Sequence, residues 1–282
     1  MAEKNLEADN YVSIIFIHWA QNSFRSQLSR TSLKSLQETI HSSAEIIVVD
    51  NGSNLEDSKF FLEECNAKRI ALYIRNADNL HFGFARNQAL VASTANWVAI
   101  VDNDIIYKDK WLEYCLQMLK VHPDKKLIAS PLNYPYVHKR DKRWRHGTIQ
   151  VKGRTCNLTE RAGSNCMVMR KETVDEIGLF KLHRIAGSYF TDALVNAGYL
   201  VITPEVNWAF DAALRNGYNF KNDANITRTL NDGETVSFKR FPIYQPKPER
   251  ANLGLLSPRD YESSCEGVYA RNSNSGGDNS NK

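Results

Sequence analysis

Apolar and polar positions follow a regular order along the first half of the chain. Val12 to Ile17 (VSIIFI) is a short β-branched run, the pattern of a strand buried on both faces of a parallel sheet. Leu33, Leu36 and Ile40 recur at helical spacing and predict a helix over Ser29 to Ile40. Ala44 to Val49 (AEIIVV) is a second buried strand, stopped by the turn signal Asp50-Asn51-Gly52-Ser53. A helix over 57–66 and a third strand over Arg69 to Ile74 follow. A loop with His81, Phe82 and Gly83 then leads into a helix over Ala85 to Ser93. Trp97 to Val101 (WVAIV) is a fourth strand, ending at Asp102-Asn103-Asp104. Strand alternating with helix in this way predicts an α/β fold, a mostly parallel sheet flanked by helices.

The second half is less regular. The pattern predicts a helix over 109–121, strands over 127–132, 164–169 and 199–203, and helices over 171–177 and 190–197. Residues 138–154 (HKRDKRWRHGTIQVKGR) are dense in Lys and Arg, and the tail from Asn272 is low-complexity and expected to be disordered. The resulting division is an N-terminal extension (1–10), one half-domain over 11–125, a second half of the same domain over 126–240, and a C-terminal extension over 241–282.

Composition narrows the class only a little. A chain of 282 residues with 42% hydrophobic and 24% charged residues buries a full core, which excludes a mainly disordered protein. A net charge of +4 is too mild, and too little clustered, to argue for a nucleic-acid partner. The five cysteines are scattered, with no Cys-x-x-Cys pair, so isolated thiols in a reducing compartment are expected rather than a zinc site or disulfide framework. The N-terminal apolar run is too short for a signal peptide or a membrane span, and a cytoplasmic protein is expected.

Candidate chemistry lies at the strand ends. In an open parallel sheet, ligands bind beyond the carboxyl ends of the strands, and here IIVVD-NGS and VAIVD-ND both end in acidic turns. Asp50 and the Asp102-x-Asp104 pair therefore belong on one rim. Continued strand alternation would point Asp102 and Asp104 the same way. Two carboxylates completed by phosphate and water oxygens suit Mg²⁺ or Mn²⁺. Acidic residues that merely cap strands are the structural alternative for each turn taken singly.

VSIIFI, IIVVDNGS, HFGFARNQAL and WVAIVDND resemble, in order and spacing, the family 2 glycosyltransferases of GT-A fold, and the likeness continues through GSNCMVMRKETVDEIGLF (163–180). The resemblance implies a metal-dependent, inverting transfer of a sugar from a nucleoside-diphosphate sugar to an acceptor hydroxyl, on a glycan, a lipid-linked or another acceptor, in polysaccharide or glycoconjugate assembly. It implies that residues 11–125 bind the donor and 126–240 the acceptor. By the same carry-over Asp50 binds the nucleobase, Arg86 lies near the diphosphate or ribose, Asp102 contacts ribose or sugar, and Asp104 ligates the metal with Asp102 beside it. Uridine or thymidine donors are favoured, since their imide N–H can donate to the Asp50 carboxylate.

Two departures stand out. The family's acidic pair, which supplies the catalytic base about ten residues before Ala-Gly-Tyr, is missing before Ala197-Gly198-Tyr199; Ala186 and Gly187 occupy its place. Asp192 is the acid nearest that place, expected at a helix start, and is the candidate base. The family's later histidine ligand is also absent, and Asn207, Trp208 or Asp211 stands in that region. The basic 138–154 stretch suits an anionic acceptor or a membrane surface as well as a solvated loop. His18, Trp19, Tyr189 and Phe190 are expected to pack in the core or rim. The first βα turn, HWAQNSFRS, has no glycine, which argues against a dinucleotide oxidoreductase and a sugar nucleotidyltransferase. A catalytically weak or inactive nucleotide-sugar-binding protein on the same fold is the competing class.

Overall fold

The computed structural model describes residues 11–20, 23–121, 126–132, 145–161, 163–182, 186–211, 225–229 and 235–239. Its centre is the run β1 (Val12–His18), α1 (Ser23–Thr39), β2 (Ala44–Asn51), α2 (Leu55–Asn66), β3 (Leu72–Asn76), α3 (Phe82–Ala92) and β4 (Trp97–Asp102). β5 (Ile105–Tyr107), α4 (Trp111–Lys120), β6 (Leu127–Ala129), β7 (Arg145–Val151), β8 (Arg154–Thr159) and β9 (Cys166–Arg170) follow. Then come α5 (Lys171–Ile177), α6 (Ala186–Asn196), β10 (Leu200–Pro204), β11 (Ala209–Asp211), and the pair β12 (Asn225–Thr229) and β13 (Thr235–Lys239). Nine strands form one sheet in the order β3-β2-β1-β4-β9-β6-β10-β8-β7. The first four are mutually parallel, and β9 enters antiparallel beside β4.

Strand alternation explains the layers. Val12, Ile14 and Phe16 join Ile46, Val48, Ala99 and Val101 in one core, against Leu33 and Leu36 of α1, Phe61 of α2 and Trp111 of α4. Ile15, Ile17, Ile47, Val49, Val98 and Ile100 face the other way, against Ala85, Ala89 and Leu90 of α3, Val174 of α5 and Phe190 of α6. Both faces of the central strands are dry, which is why they read as continuous apolar runs.

The predicted elements of the first half are present, with shifted ends. The third strand starts at Leu72 rather than Arg69, because the Arg69 and Ile70 N–H groups both bond to the Glu64 carbonyl and close the end of α2. α3 starts at Phe82 rather than Ala85, because His81 caps it with Nδ1 accepting from the Gly83 N–H. The 138–154 stretch is not wholly a loop: residues 145–151 form β7 at the sheet edge, with Lys152 and Gly153 at positive φ in the turn to β8. Residues 133–144, with Arg140 and Arg143, lie outside the described residues, as do the two extensions at 1–10 and 241–282. No helix among the described residues is long and apolar enough to cross a membrane.

A buried polar knot ties β1 to α1 and α2. His18 is fully buried, with Nδ1 2.7 Å from Ser29 Oγ, Nε2 3.3 Å from Asp57, and its ring 4.6 Å from Phe61. Asp57 also accepts from Ser26 and Arg30. Burial alone would raise the Asp57 pKa, but the His18 imidazole 3.3 Å away and hydrogen bonds from Ser26 and Arg30 outweigh it and hold the carboxyl well below its ordinary range. A depressed folded-state pKa contributes stability that is complete above the unfolded value and is lost as pH falls from about 4 toward the folded value. Urea unfolding at pH 7 and pH 3 is expected to show this loss, and Asp57→Asn to be less stable at pH 7 with a smaller acid loss. Equal acid losses in the two proteins would remove Asp57 as the cause.

Candidate donor site at the carboxyl rim of the sheet

Register brings the acidic turns together. β1 lies between β2 and β4, pairing His18 with Asp50 on one side and Ile17 with Asp102 on the other. β2 and β3 extend the sheet on one side of β1 while β4 lies on the other, so the chain reverses direction across the sheet at β1/β4. That is the switch point where a crevice opens in this class of sheet.

Asp50 is fully buried and organises its own loop. Its carboxylate accepts from the Ser53 N–H (2.8 Å), Ser58 Oγ (2.6 Å) and Tyr73 Oη (2.9 Å), with Arg75 Nε at 3.7 Å. Burial, with the Asp50 charge adding to it, pushes the Tyr73 phenol up to about 12, so Tyr73 remains a donor at neutral pH. Gly52 is required in this loop: φ is +81°, and an added Cβ would lie 2.3 Å from the Asp78 carbonyl carbon.

The Asp102–Asp104 pair differs from the expected geometry. β4 stops at Asp102 and residues 103–104 form a turn, so strand alternation does not govern the pair. Asp102 is partly open, its side chain 22% exposed, and it forms an ion pair with Arg86. Asp104 is buried, and its Oδ2 lies 3.7 Å from Nη1 of Arg25 on α1. The Asp102 N–H donates to the Asn165 carbonyl at 2.8 Å, which holds the end of β4 against the chain entering β9. Behind both carboxylates stands Tyr107, whose phenol is pushed well above its usual range by burial first, then by Cys166, Asp102 and Asp104.

Arg86 is 3% exposed, an unusual burial for a guanidinium. Its Cζ lies 5.0 Å from the ring centroids of both Phe82 and Phe180. Nη2 is on Asp102, whereas Nε and Nη1 are buried with no hydrogen-bond partner among the described residues. Unmade hydrogen bonds at buried donors cost about 1–3 kcal/mol each, so the side chain is set for an acceptor that supplies them. Arg25, Phe82, Phe180 and Tyr107 were not anticipated in this site. Arg25 was within reach of the strand-end rule, since it sits in the first turn of α1, the helix that follows the carboxyl end of β1.

The acceptor side required a correction. α6 begins at Ala186, not near 190, so Asp192 lies in its second turn and does not open or cap the helix. Ala186, Phe190 and Leu194 at i, i+4 and i+8 bury one face and draw the extra turn into the helix. Asp192 forms an ion pair with Arg161 and its side chain is 42% exposed. Ala186 and Gly187 sit at the helix start, where Gly187 is packed so closely that a Cβ would fall 2.2 Å from Ser164 Oγ. Phe190 is in the core, stacked on Phe180 at 4.0 Å, and Tyr189 is half-buried beside Lys181. Trp208 packs at a tilt against Tyr114, with ring centroids 4.6 Å apart, while β11 pairs antiparallel with β5 so that the Asp211 backbone lies opposite Ile105, the residue after Asp104. Among the described residues no cluster of three or more His, Cys, Asp or Glu is placed to hold a metal ion.

An α/β sheet of this order, with an acidic rim at its switch point, is the GT-A arrangement of nucleotide-sugar glycosyltransferases. The chain belongs to glycosyl transferase family 2, whose family model matches residues 20–178. No curated protein matches it. Among solved structures it is similar to the mannosyltransferase PcManGT from Pyrobaculum calidifontis, in complex with GDP-Man and Mn²⁺, at 19% identity and a TM-score of 0.56; the match covers 73% of this chain and 58% of that one. It is also similar to residues 1–349 of TarS from S. aureus, at 14% identity and a TM-score of 0.54, covering 72% of this chain and 60% of that one. The chain thus spans about three-fifths of the length of these two structures.

Proposed function

We propose that the protein is a glycosyltransferase that moves a sugar, a hexose in the simplest case, from a nucleoside-diphosphate sugar to an acceptor hydroxyl. The observation that carries this is Arg86: a buried guanidinium with two unused donors, beside an acidic turn at the switch point of the sheet. A departing diphosphate needs its charge neutralised, and a preorganised arginine in a poorly solvated site does so at little reorganisation cost. Asp102 and Asp104 are hard oxygen donors, so the donor set fits Mg²⁺ or Mn²⁺ completed by phosphate oxygens and water. A bound cation of this kind would supply Lewis-acid stabilisation of the leaving diphosphate.

In this reading Asp102 faces the ribose or sugar, and Asp50 sets the base end through the loop it organises. A preference for uridine or thymidine over guanosine requires the buried Asp50 carboxylate to exchange one of its present donors for the base imide N–H; calorimetry with UDP, dTDP and GDP tests this, and equal affinities would reject the preference. Displacement is inverting, with Asp192 as the base on a glycan, lipid-linked or other hydroxyl acceptor, in polysaccharide or glycoconjugate assembly. The free thiols of Cys65, Cys115, Cys156 and Cys166 suit a reducing, cytoplasmic setting. The 138–154 stretch is proposed to meet an anionic acceptor or membrane surface. Cosedimentation with anionic liposomes that is present at low salt and lost at high salt is expected, and no cosedimentation at low salt would reject the membrane contact.

A second reading, a nucleotide-sugar-binding protein without transferase activity, is favoured by the tight packing of Gly187 where the family carries its acid. Incubation with a panel of nucleotide sugars and Mn²⁺, following nucleotide release with and without candidate acceptors, separates the two. Binding of a donor without any release supports the second reading.

A further inference from the structure

Three consecutive residues of α3 reach three different parts of the molecule. Arg86 goes to Asp102, Gln88 exchanges two hydrogen bonds with the Asn76 side chain at 2.8 and 2.9 Å, and Asn87 turns to the chain between α5 and α6. There the Asn87 Nδ2 donates to the Phe180 carbonyl (2.8 Å), while its Oδ1 accepts from the Phe180 N–H (2.9 Å). One side-chain amide thus answers both backbone groups of a residue 93 positions away. Phe180 is buried between two exposed neighbours, Leu179 and Lys181, on a segment that belongs to neither helix. Among the described residues no other hydrogen bond reaches its backbone, so Asn87 fixes where its ring lies. That ring lies 5.0 Å from the Arg86 Cζ and stacks on Phe190 of α6 at 4.0 Å. One turn earlier on α3, a Cβ at Gly83 would lie 2.9 Å from the Lys181 carbonyl oxygen and 3.2 Å from the Ala186 Cβ, so the same segments meet closely there too.

We propose that Asn87 is a positioning residue for sugar transfer: it clasps Phe180, and the Phe180 ring sets the Arg86 guanidinium on one hand and seats α6 on the other. It acts through Phe180 rather than on substrate. This rests on the reading above that Arg86 meets the leaving diphosphate. Arg86 keeps Nε and Nη1 buried and without acceptors, so its placement decides what those donors can reach. Preorganised charge stabilises a transition state only when it is already in place, and a misplacement of about 1 Å can cost about a hundred-fold in rate. The chemistry of the clasp is specific. An amide carries a donor and an acceptor together, leucine of similar volume carries neither, and an ionised aspartate accepts but cannot donate.

The test compares Asn87→Leu, Asn87→Asp and Gln88→Leu. Gln88→Leu removes two side-chain hydrogen bonds from the same helix without touching Phe180, so it measures what lost internal bonding does by itself. Steady-state kinetics give kcat and donor KM, melting curves give stability, and hydrogen exchange read by mass spectrometry follows the Phe180 amide. Asn87→Leu is expected to lose protection of that amide and to lower kcat on the order of ten- to a hundred-fold, with a smaller change in donor KM. Gln88→Leu should keep the amide protected and kcat near wild type at a comparable melting temperature. Asn87→Asp should keep the amide protected and lower kcat at neutral pH. Its kcat relative to wild type should rise as pH falls toward the carboxyl range, because a protonated carboxyl regains a donor for the Phe180 carbonyl. If Asn87→Leu turns over at the wild-type kcat, or Gln88→Leu loses as much, Asn87 is structural only and the proposal is overturned. If Asn87→Leu does not fold, Asn87→Asp decides: a ratio to wild type that stays flat with pH overturns the proposal. Normal turnover by Arg86→Gln is a separate failure, which removes the arginine from the leaving-group site and takes the proposal with it.

Discussion

Asp104→Asn is expected to lower the transfer rate about a thousand-fold or more while leaving the protein folded. Asparagine is the informative replacement. Asp104 is buried, so truncation to alanine would open a void in addition to removing the charge. Asparagine keeps the shape and one carbonyl oxygen, and removes the negative charge that a divalent cation and Arg25 would share. The loss should fall on kcat and on metal-dependent nucleotide binding, because the charge on the leaving diphosphate grows toward the transition state. The variant should stay folded, since asparagine keeps the volume of the buried side chain and its capacity to hydrogen-bond. Steady-state kinetics across a Mn²⁺ series, beside a melting curve, checks both halves. Normal turnover in the variant, or wild-type activity indifferent to chelator, would reject the metal role of Asp104.

How much of this was legible in the sequence depends on the length of each signal. β1, β2 and β4 lie in the middle of the sheet with both faces dry, so every residue from Ile14 to Ile17 and from Ile46 to Val49 is apolar, and no partner is needed to recognise them. Their acidic ends follow from topology: adjacent parallel strands must finish on one rim, and the register of His18 with Asp50 and Ile17 with Asp102 carries this out. What single residues do on that rim was not legible. The Arg86–Asp102 and Arg25–Asp104 pairs join residues far apart in sequence, and nothing local in FGFARN separates a buried arginine from a solvated one. β11 is three residues long and exists by pairing with β5, a contact that leaves no periodicity in its own segment. The start of α6 was missed for a different reason. Ala-Gly-Ser is a poor helical opening by propensity, and tertiary burial of Ala186 and Phe190 overrides it.

That override matters most for the catalytic base, and Asp192→Asn is expected to lower kcat by about a hundred-fold to ten-thousand-fold without changing nucleotide or metal affinity. Inverting transfer needs a carboxylate within hydrogen-bond reach of the acceptor hydroxyl, opposite the leaving group. A side chain at position 187 would first have to turn the Ser164 hydroxyl away, since a Cβ there would meet Ser164 Oγ at 2.2 Å. Asp192 remains the acid on α6, in the second turn and partly exposed. Its ion pair with Arg161 holds the carboxylate in place, and the same pairing is what a purely structural role would look like. Two variants separate these roles. If the pair only fastens α6 to the end of β8, Arg161→Gln and Asp192→Asn should lower the melting temperature alike and leave kcat near wild type. If Asp192 is the base, Asp192→Asn should lose kcat at unchanged donor KM, while Arg161→Gln retains a carboxylate and keeps most of the rate. Near-normal kcat in Asp192→Asn, measured with a donor and acceptor that wild type turns over, would exclude it and leave the base to a residue outside α6, with Glu205 and Asp211 next to be replaced.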